Sequence, residues 1–316
     1  MNKSEKIKII VCGTPHFAVP FFDALRTDND FEILAVLTQP DKPMGRKQII
    51  TPPPVKAWAI PNEITVLQPE KLRGNSDIEN IIRELNPDAV VVVAYGLIIP
   101  QELLDLPRLG WINVHPSLLP HHRGATPHMA AILAGDTETG VSIMQLDAKM
   151  DHGPILAQIK FDLEKTDTGE TILQKSITDG ASLLLETIKK FAAGEISPVA
   201  QDDTLATYCS MVTKEDARID WTKSATEISQ LIRAYYPSPI AWTMLGDKRV
   251  KIFPPIEVKE NSDVEPGTIS LVDDQVLATC GEGAIQLSDI QIEGKNRISA
   301  LEYFKTQKET GDLRFQ

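Results

Sequence analysis

Short apolar runs alternate with amphipathic stretches through much of the chain, and this pattern predicts strands and helices in turn. Residues 8–12 are strand-like, and Gly13, Thr14 and Pro15 turn the chain. A helix is predicted next, with Phe17, Phe21 and Leu25 on one face. Residues 33–37 and 65–67 are further strands, and residues 75–84 suit a helix. The run A-V-V-V-V-A at 89–94 has no polar position, as expected of a strand covered on both faces. Residues 111–115, 141–146 and 154–163 predict three more strands. Asp167 or Thr168 then caps a long helix ending near Gly194, with Ile172, Leu173, Ile177, Leu184, Leu185, Ile188 and Phe191 as its apolar face. Strands alternating with helices predict an open, Rossmann-like parallel sheet, whose ligands bind beyond the carboxyl ends of its strands. The turn after the first strand is not G-x-G-x-x-G, so no dinucleotide site is read there.

Two stretches break the periodicity. Residues 39–54, Q-P-D-K-P-M-G-R-K-Q-I-I-T-P-P-P, hold five prolines and the bases Lys42, Arg46 and Lys47. Proline keeps this stretch out of helices and central strands, leaving either a solvated loop or a functional one. Residues 195–204, with Pro198 and a polar run, read as a linker. Beyond it the punctuation changes. Ser224 and Glu227 form a capping box, and Ile228, Leu231, Ile232 and Tyr235 stripe the helix it opens. Short strands separated by Gly246-Asp247, Asp273-Asp274 and Gly281-Glu282-Gly283 follow, which predicts a small β-barrel. The expected division is residues 1–194, a linker at 195–206 and a barrel domain at 207–316.

Composition narrows the class. A chain of 316 residues can bury a substantial core, and no apolar run is long enough to cross a bilayer. The N-terminus leads straight into the first strand and does not read as a signal peptide. Cys12, Cys209 and Cys280 show no disulfide or metal spacing, which suits a reducing cytoplasm. A formal net charge of −12 argues against indiscriminate binding of polyanions, though local patches can still contact a nucleic acid.

The chemistry gathers around W-I-N-V-H-P-S-L-L-P-H-H-R-G at 111–124. In a strand Asn113 and His115 share one face, while Ile112 and Val114 share the other. A buried amide and imidazole cost free energy unless satisfied. Asp151, after the next apolar run and before Gly153-Pro154, is the acid in a comparable setting. Such a trio can handle protons: Asp orients and charges His, and His and Asn donate to a developing oxyanion. A satisfied core histidine is the plainer reading. Five of the six histidines lie between 115 and 152, but no metal-ligand spacing appears, so His121, His122 and His152 read as polar groups flanking a cleft. Arg123 is either a phosphate or carboxylate contact or a surface ion pair. The loop at 95–98, after the apolar strand, lies in the expected ligand zone.

N-V-H-P-S-L-L-P-H-H-R-G-A-T-P and D-A-K-M-D-H-G-P-I resemble the folate-dependent formyltransferases. The resemblance implies that Asn113, His115 and Asp151 are catalytic. It places 10-formyltetrahydrofolate against Tyr95, Gly96, Leu97 and Ile98, against Ser117, Leu118, Leu119 and Pro120, and by Asp147, Met150 and Gly153. No metal is implied. G-T-P-H-F-A-V-P at the start, the Pro-rich loop and A-R-I-D-W at 217–221 resemble the members that formylate methionyl initiator tRNA. They imply a tRNA partner met by Lys42, Arg46, Lys47, Arg123, Lys248 and Arg249, with an oligonucleotide-binding type of barrel in support. Lys251, Lys295 and Arg297 are further phosphate contacts, or charges that protect strand edges. A monomer without membrane attachment is expected. An amino-sugar nucleotide is the rival substrate. A non-catalytic RNA-binding protein is the rival class, and it leaves the polar trio without a purpose.

Overall fold

The computed structural model describes residues 5–45, 47–259, 264–306 and 313–316. In chain order the elements are β1 (Ile7–Gly13), α1 (Val19–Thr27), β2 (Phe31–Leu37), β3 (Lys42–Met44), β4 (Ile49–Thr51), α2 (Pro54–Ala59), β5 (Val66–Leu67), α3 (Ser76–Leu85), β6 (Ala89–Val93), α4 (Gln101–Leu104), β7 (Trp111–His115), β8 (Arg123–Gly124), α5 (Pro127–Ala134), β9 (Glu138–Gln145), β10 (Ile155–Asp162), α6 (Gly169–Ala192), β11 (Tyr208–Cys209), α7 (Ala225–Ala234), β12 (Trp242–Leu245), β13 (Lys248–Lys259), β14 (Ile269–Val272), β15 (Gln275–Thr279), β16 (Ala284–Ile292), β17 (Ile298–Ser299) and α8 (Ala300–Lys305). They form two compact units. The first comprises the chain up to Gly124, Gly140–Phe161 and Leu173–Tyr208; the second comprises Ala125–Thr139, Asp162–Ile172 and the chain from Cys209.

The first unit is built on a sheet of order β10-β9-β7-β6-β1-β2-β5. The pairs β1–β2, β1–β6, β2–β5 and β6–β7 are parallel, as the alternation of strands and helices predicts. β9 departs from it by running antiparallel to β7, with His115 opposite Ser142 and Ile112 opposite Gln145. The β6 strand is covered on both sides. Ala89, Val91 and Val93 face the core that includes Phe21, Phe22 and Leu25 of α1 and Leu184 and Ile188 of α6. Val90 and Val92 face the core made with Ile78 and Ile82 of α3 and Leu103 and Leu104 of α4. Thr168 caps α6, its hydroxyl accepting from the Thr171 N–H at 3.2 Å.

Two stretches differ from the expectation. Within residues 39–54, β3 and β4 pair as a small antiparallel ribbon, with Pro43 opposite Ile50. An isolated two-stranded ribbon tolerates Pro43, because one side of each strand has no ladder to interrupt. The stretch read as a linker is tied to the first unit: Ile155 and Val199 exchange two backbone hydrogen bonds of 2.8 Å.

The second unit is not the contiguous block expected. It takes in α5, which packs against α7, and Asp167, whose carbonyl accepts from the buried Arg233 guanidinium at 2.7 Å. Its sheet has the order β12-β13-β16-β15-β14. The last described residues join the two edges. Gln316 and Met244 exchange backbone bonds on the β12 side, while Ile269 N–H donates to Leu313 and Phe315 N–H to Gly267 on the β14 side. The sheet thereby closes into the predicted small barrel, around a core that includes Trp221, Ile252, Ile290 and Phe315. The capping box of α7 is present, with Ser224 and Glu227 serving each other's backbone N–H. The A-R-I-D-W segment runs beside β12, where Ile219 N–H donates to the Trp242 carbonyl and Trp242 N–H to the Ala217 carbonyl.

Candidate active site

β7 carries Asn113 and His115 on one face, as period-two alternation requires, and sends Ile112 and Val114 into the opposite core. Both polar side chains are buried, at 9% and 3% exposure. The Asn113 amide has no hydrogen-bond partner among the described residues. His115 is held at one ring nitrogen, Nε2. Nε2 lies 3.0 Å from the His122 carbonyl, which can only accept, so Nε2 carries the proton. Nδ1 faces Asp151 Oδ2 at 3.8 Å.

Asp151 reaches that position from an unexpected direction. β9 ends opposite Ile112, and Leu146 N–H donates to the Trp111 carbonyl, at the far end of β7 from His115. The loop that follows brings the acid back. Asp151 has φ 46°, left-handed and disfavoured for a residue with a side chain. Its Oδ2 accepts the Gly124 N–H at 2.8 Å. Gly153 is required there, since a Cβ would fall 2.0 Å from the Gln145 carbonyl oxygen.

Burial lowers the His115 pKa more than the Asp151 carboxylate raises it, so the resting imidazole is neutral. This corrects the expectation that Asp151 keeps His115 charged: a dry pocket penalises the imidazolium, and at 3.8 Å the carboxylate offsets only part of that penalty.

The residues expected around a folate divide by exposure. Ile98 and Met150 present apolar side chains to solvent. Gly96 is exposed and left-handed. The Tyr95 ring is buried in the core with Val90 and Val92, and its carbonyl accepts from Thr14 and Gln39 at 2.9 Å. Ser117 is wholly buried, its hydroxyl donating to the His121 carbonyl. Leu119 is buried too, and Ser142 and Gln158 hold its backbone. Leu118 and Pro120 are half-buried. Asp147 pairs with His152 Nδ1 at 2.5 Å, and His152 Nε2 reaches Asp203 at 3.2 Å.

Arg123 also needs correction, from both readings offered for it. It is neither a surface ion pair nor open to a phosphate, being 1% exposed. Its guanidinium donates to Gln201 Oε1 at 3.0 and 2.9 Å, to Asp203 at 2.8 Å and to the Tyr208 hydroxyl at 3.2 Å. Gln201 in turn donates to the Asp151 and Gly153 carbonyls. Sequence reasoning missed Gln201, because a lone glutamine in a polar run carries no local signal. The basic residues expected at the tRNA are divided between the two units. Lys42 and Lys47 stand exposed on the hairpin with Met44, Ile49 and Ile50, whereas Arg46 lies outside the described residues. In the second unit Lys248 and Arg249 are exposed, with the Arg249 guanidinium 4.1 Å from the Trp242 ring centroid. Arg297 is paired with Asp289.

Comparison with known proteins gives the family. Residues 5–188 match the family model described as formyl transferase, and residues 211–308 match the formyl transferase C-terminal domain. A protein of Bacillus subtilis strain 168 named methionyl-tRNA formyltransferase is 40% identical over 309 residues, which is 97% of each chain. The chain belongs to the methionyl-tRNA formyltransferase family. Another relative of that name, from Coxiella burnetii, is 44% identical over 295 residues and 93% of each chain. Among solved structures, an N-formyltransferase of Helicobacter canadensis, in complex with folinic acid and dTDP-3-aminofucose, superposes with a TM-score of 0.67 at 19% identity, covering 89% of this chain and 98% of that one. HypX of Aquifex aeolicus in complex with tetrahydrofolic acid gives a TM-score of 0.63 at 16% identity, this chain covering 47% of its length. These structures share their fold with this chain. Among the described residues, no helix is long and apolar enough to cross a membrane.

Proposed function

We propose that the chain transfers the formyl group of 10-formyltetrahydrofolate to the α-amino group of methionyl initiator tRNA, supplying formylated initiator for translation. The meeting of Asn113, His115 and Asp151 carries this reading, supported by near full-length likeness to relatives of that name. A folate suits the residues present: the Asn113 amide has no partner among the described residues, and Ile98 and Met150 offer apolar surface for a flat ring. When bound, the folate supplies an activated formyl carbon attached to N10.

Asn113 Nδ2 donates to the formyl oxygen as that oxygen gains charge. The neutral His115 is a base at Nδ1, the nitrogen not engaged by the His122 carbonyl. As the amine forms its bond to the formyl carbon, Nδ1 takes the amine proton, and Asp151 stabilises the imidazolium. The same proton passes to N10 as the carbon–N10 bond breaks, restoring neutral His115. In this reading the first unit carries the chemistry and the second supports the tRNA. Lys42, Lys47, Lys248 and Arg249 contact its phosphates, and the enzyme works as a cytoplasmic monomer. The decisive experiment offers charged initiator tRNA and a dTDP-linked amino sugar side by side, with 10-formyltetrahydrofolate as donor. Formylation of the tRNA alone is expected. Formylation of the sugar alone refutes the tRNA assignment, and formylation of neither refutes the enzyme.

A further inference from the structure

We propose that Gln201, clamped by Arg123, is a positioning residue that keeps Asp151 within reach of His115. The inference rests on the functional reading above, in which Asp151 acts on His115. The acid needs such a device because of where its loop begins. β9 ends opposite Ile112, and the chain must cross back to His115 while Asp151 holds a left-handed backbone at φ 46°. That conformation persists in a residue with a side chain only where its surroundings impose it.

The Gly124 N–H holds the carboxylate at Oδ2, and one amide holds the backbone of the turn. Gln201 Nε2 donates to the Asp151 carbonyl at 2.8 Å and to the Gly153 carbonyl at 2.7 Å, spending both its protons on the turn. Its Oε1 accepts twice from Arg123, at 3.0 and 2.9 Å. Arg123 thereby fixes which end of the amide faces the loop, since a flipped amide would set oxygen against two carbonyls and N–H against a guanidinium. Arg123 is itself fixed by Asp203 and Tyr208. The same segment braces the other side of the pair. Thr207 Oγ1 accepts the His122 N–H at 2.8 Å, and the His122 carbonyl is the acceptor for His115 Nε2. Residues 201–207 thus hold both partners of the histidine.

The test uses the full-length protein with Gln201→Met, which keeps length without hydrogen bonds, and Gln201→Glu, which keeps the Arg123 contact but sets oxygen against the two carbonyls. Two readouts are taken: kcat and KM for formylation of methionyl initiator tRNA, and the NMR titration of His115, assigned with His115→Gln. Both variants should lower kcat by about 10- to 100-fold, the scale of an ångström of misplacement, with KM within about twofold. The His115 pKa should fall to its value in Asp151→Asn, because the carboxylate that raises it has moved away. The His122 ring, the other charge acting on His115, is untouched by these changes. Adding Gln201→Met to Asp151→Asn should cost no further activity. An unchanged His115 titration in whichever variant folds, or losses that multiply in the double variant, would overturn the proposal. Should Asp151→Asn alone form product at the normal rate, the functional reading fails instead, and the titration still decides whether Gln201 positions the acid.

Discussion

Gly153→Ala is the sharpest probe of the loop that carries Asp151. The added methyl would stand 2.0 Å from the Gln145 carbonyl oxygen, and also 3.0 Å from its carbon and 3.3 Å from the Asp147 nitrogen. Real Cβ atoms essentially never approach other heavy atoms within 3.0 Å, so something must yield by about 1 Å. The obstacle is backbone, not the flexible end of a side chain. Gln145 cannot give way easily, because its N–H is bonded to the Pro154 carbonyl at 2.9 Å and its residue pairs with Ile112 in the sheet. The loop must therefore move, and Asp151 lies two residues away. A displacement of this size at a reacting group costs about a hundredfold in kcat. Overpacking costs about 1–3 kcal/mol of stability, too little to unfold a typical domain. The assay is steady-state formylation of methionyl initiator tRNA together with a urea melt. Gly194→Ala serves as the control: it also lies on a chain turn, at φ 74°, but its Cβ would meet nothing within 4 Å. It should lose stability, of the order of 1 kcal/mol for a left-handed alanine, and keep its kcat. A normal kcat in Gly153→Ala would refute the claim that the exact place of Asp151 matters.

Three further outcomes are expected. His115→Ala and Asp151→Asn should each cut turnover by at least about a hundredfold while circular dichroism stays native, and near-normal turnover in either removes that residue from the chemistry. Burial holds the folded His115 below its ordinary pKa of 6.5, so on acidification the unfolded chain takes up this proton first. The associated stability is complete above about pH 6.5 and is lost as pH falls through the lower folded value. The urea midpoint should accordingly drop more steeply in the native protein than in His115→Gln between about pH 7 and about pH 5, and parallel curves would reject the assignment. Lys42→Ala with Lys47→Ala should flatten the salt dependence of tRNA binding by about 0.7–0.9 log–log units per lost phosphate contact, with folate binding unchanged. An unaltered slope would free the hairpin of that role.

The legible parts of the sequence were those with a strong local period. Five apolar residues fix β6 as a doubly covered strand, and alternation puts Asn113 and His115 on one face before any partner is known. Ser224 and Glu227 announce a helix start within four residues. What stayed hidden depends on distant chain. Gln201 bonds residues 48 and 50 positions away, and 78 away at its Arg123 contact. Nothing in the polar run around it marks such an anchor. Arg123 misled because arginine is usually exposed, and the side chains that make its burial tolerable come from far along the chain. The ribbon β3–β4 was masked by its prolines. The α5 helix was not anticipated: P-H-M-A-A-I-L-A is apolar almost all round and gives no amphipathic stripe.

The interleaving of the two units along the chain bears on what a fragment of it would retain. The second unit draws α5 and the turn at Asp167 from within the span of the first, and Arg233 rests its buried guanidinium on that turn. A gene fragment encoding residues 207–316 would carry the barrel strands but leave α7 without its α5 neighbour and Arg233 without its acceptor. Residues 207–316 alone should therefore melt earlier than the second unit does in the whole chain, and restoring α5 and the Asp167 turn should recover the difference.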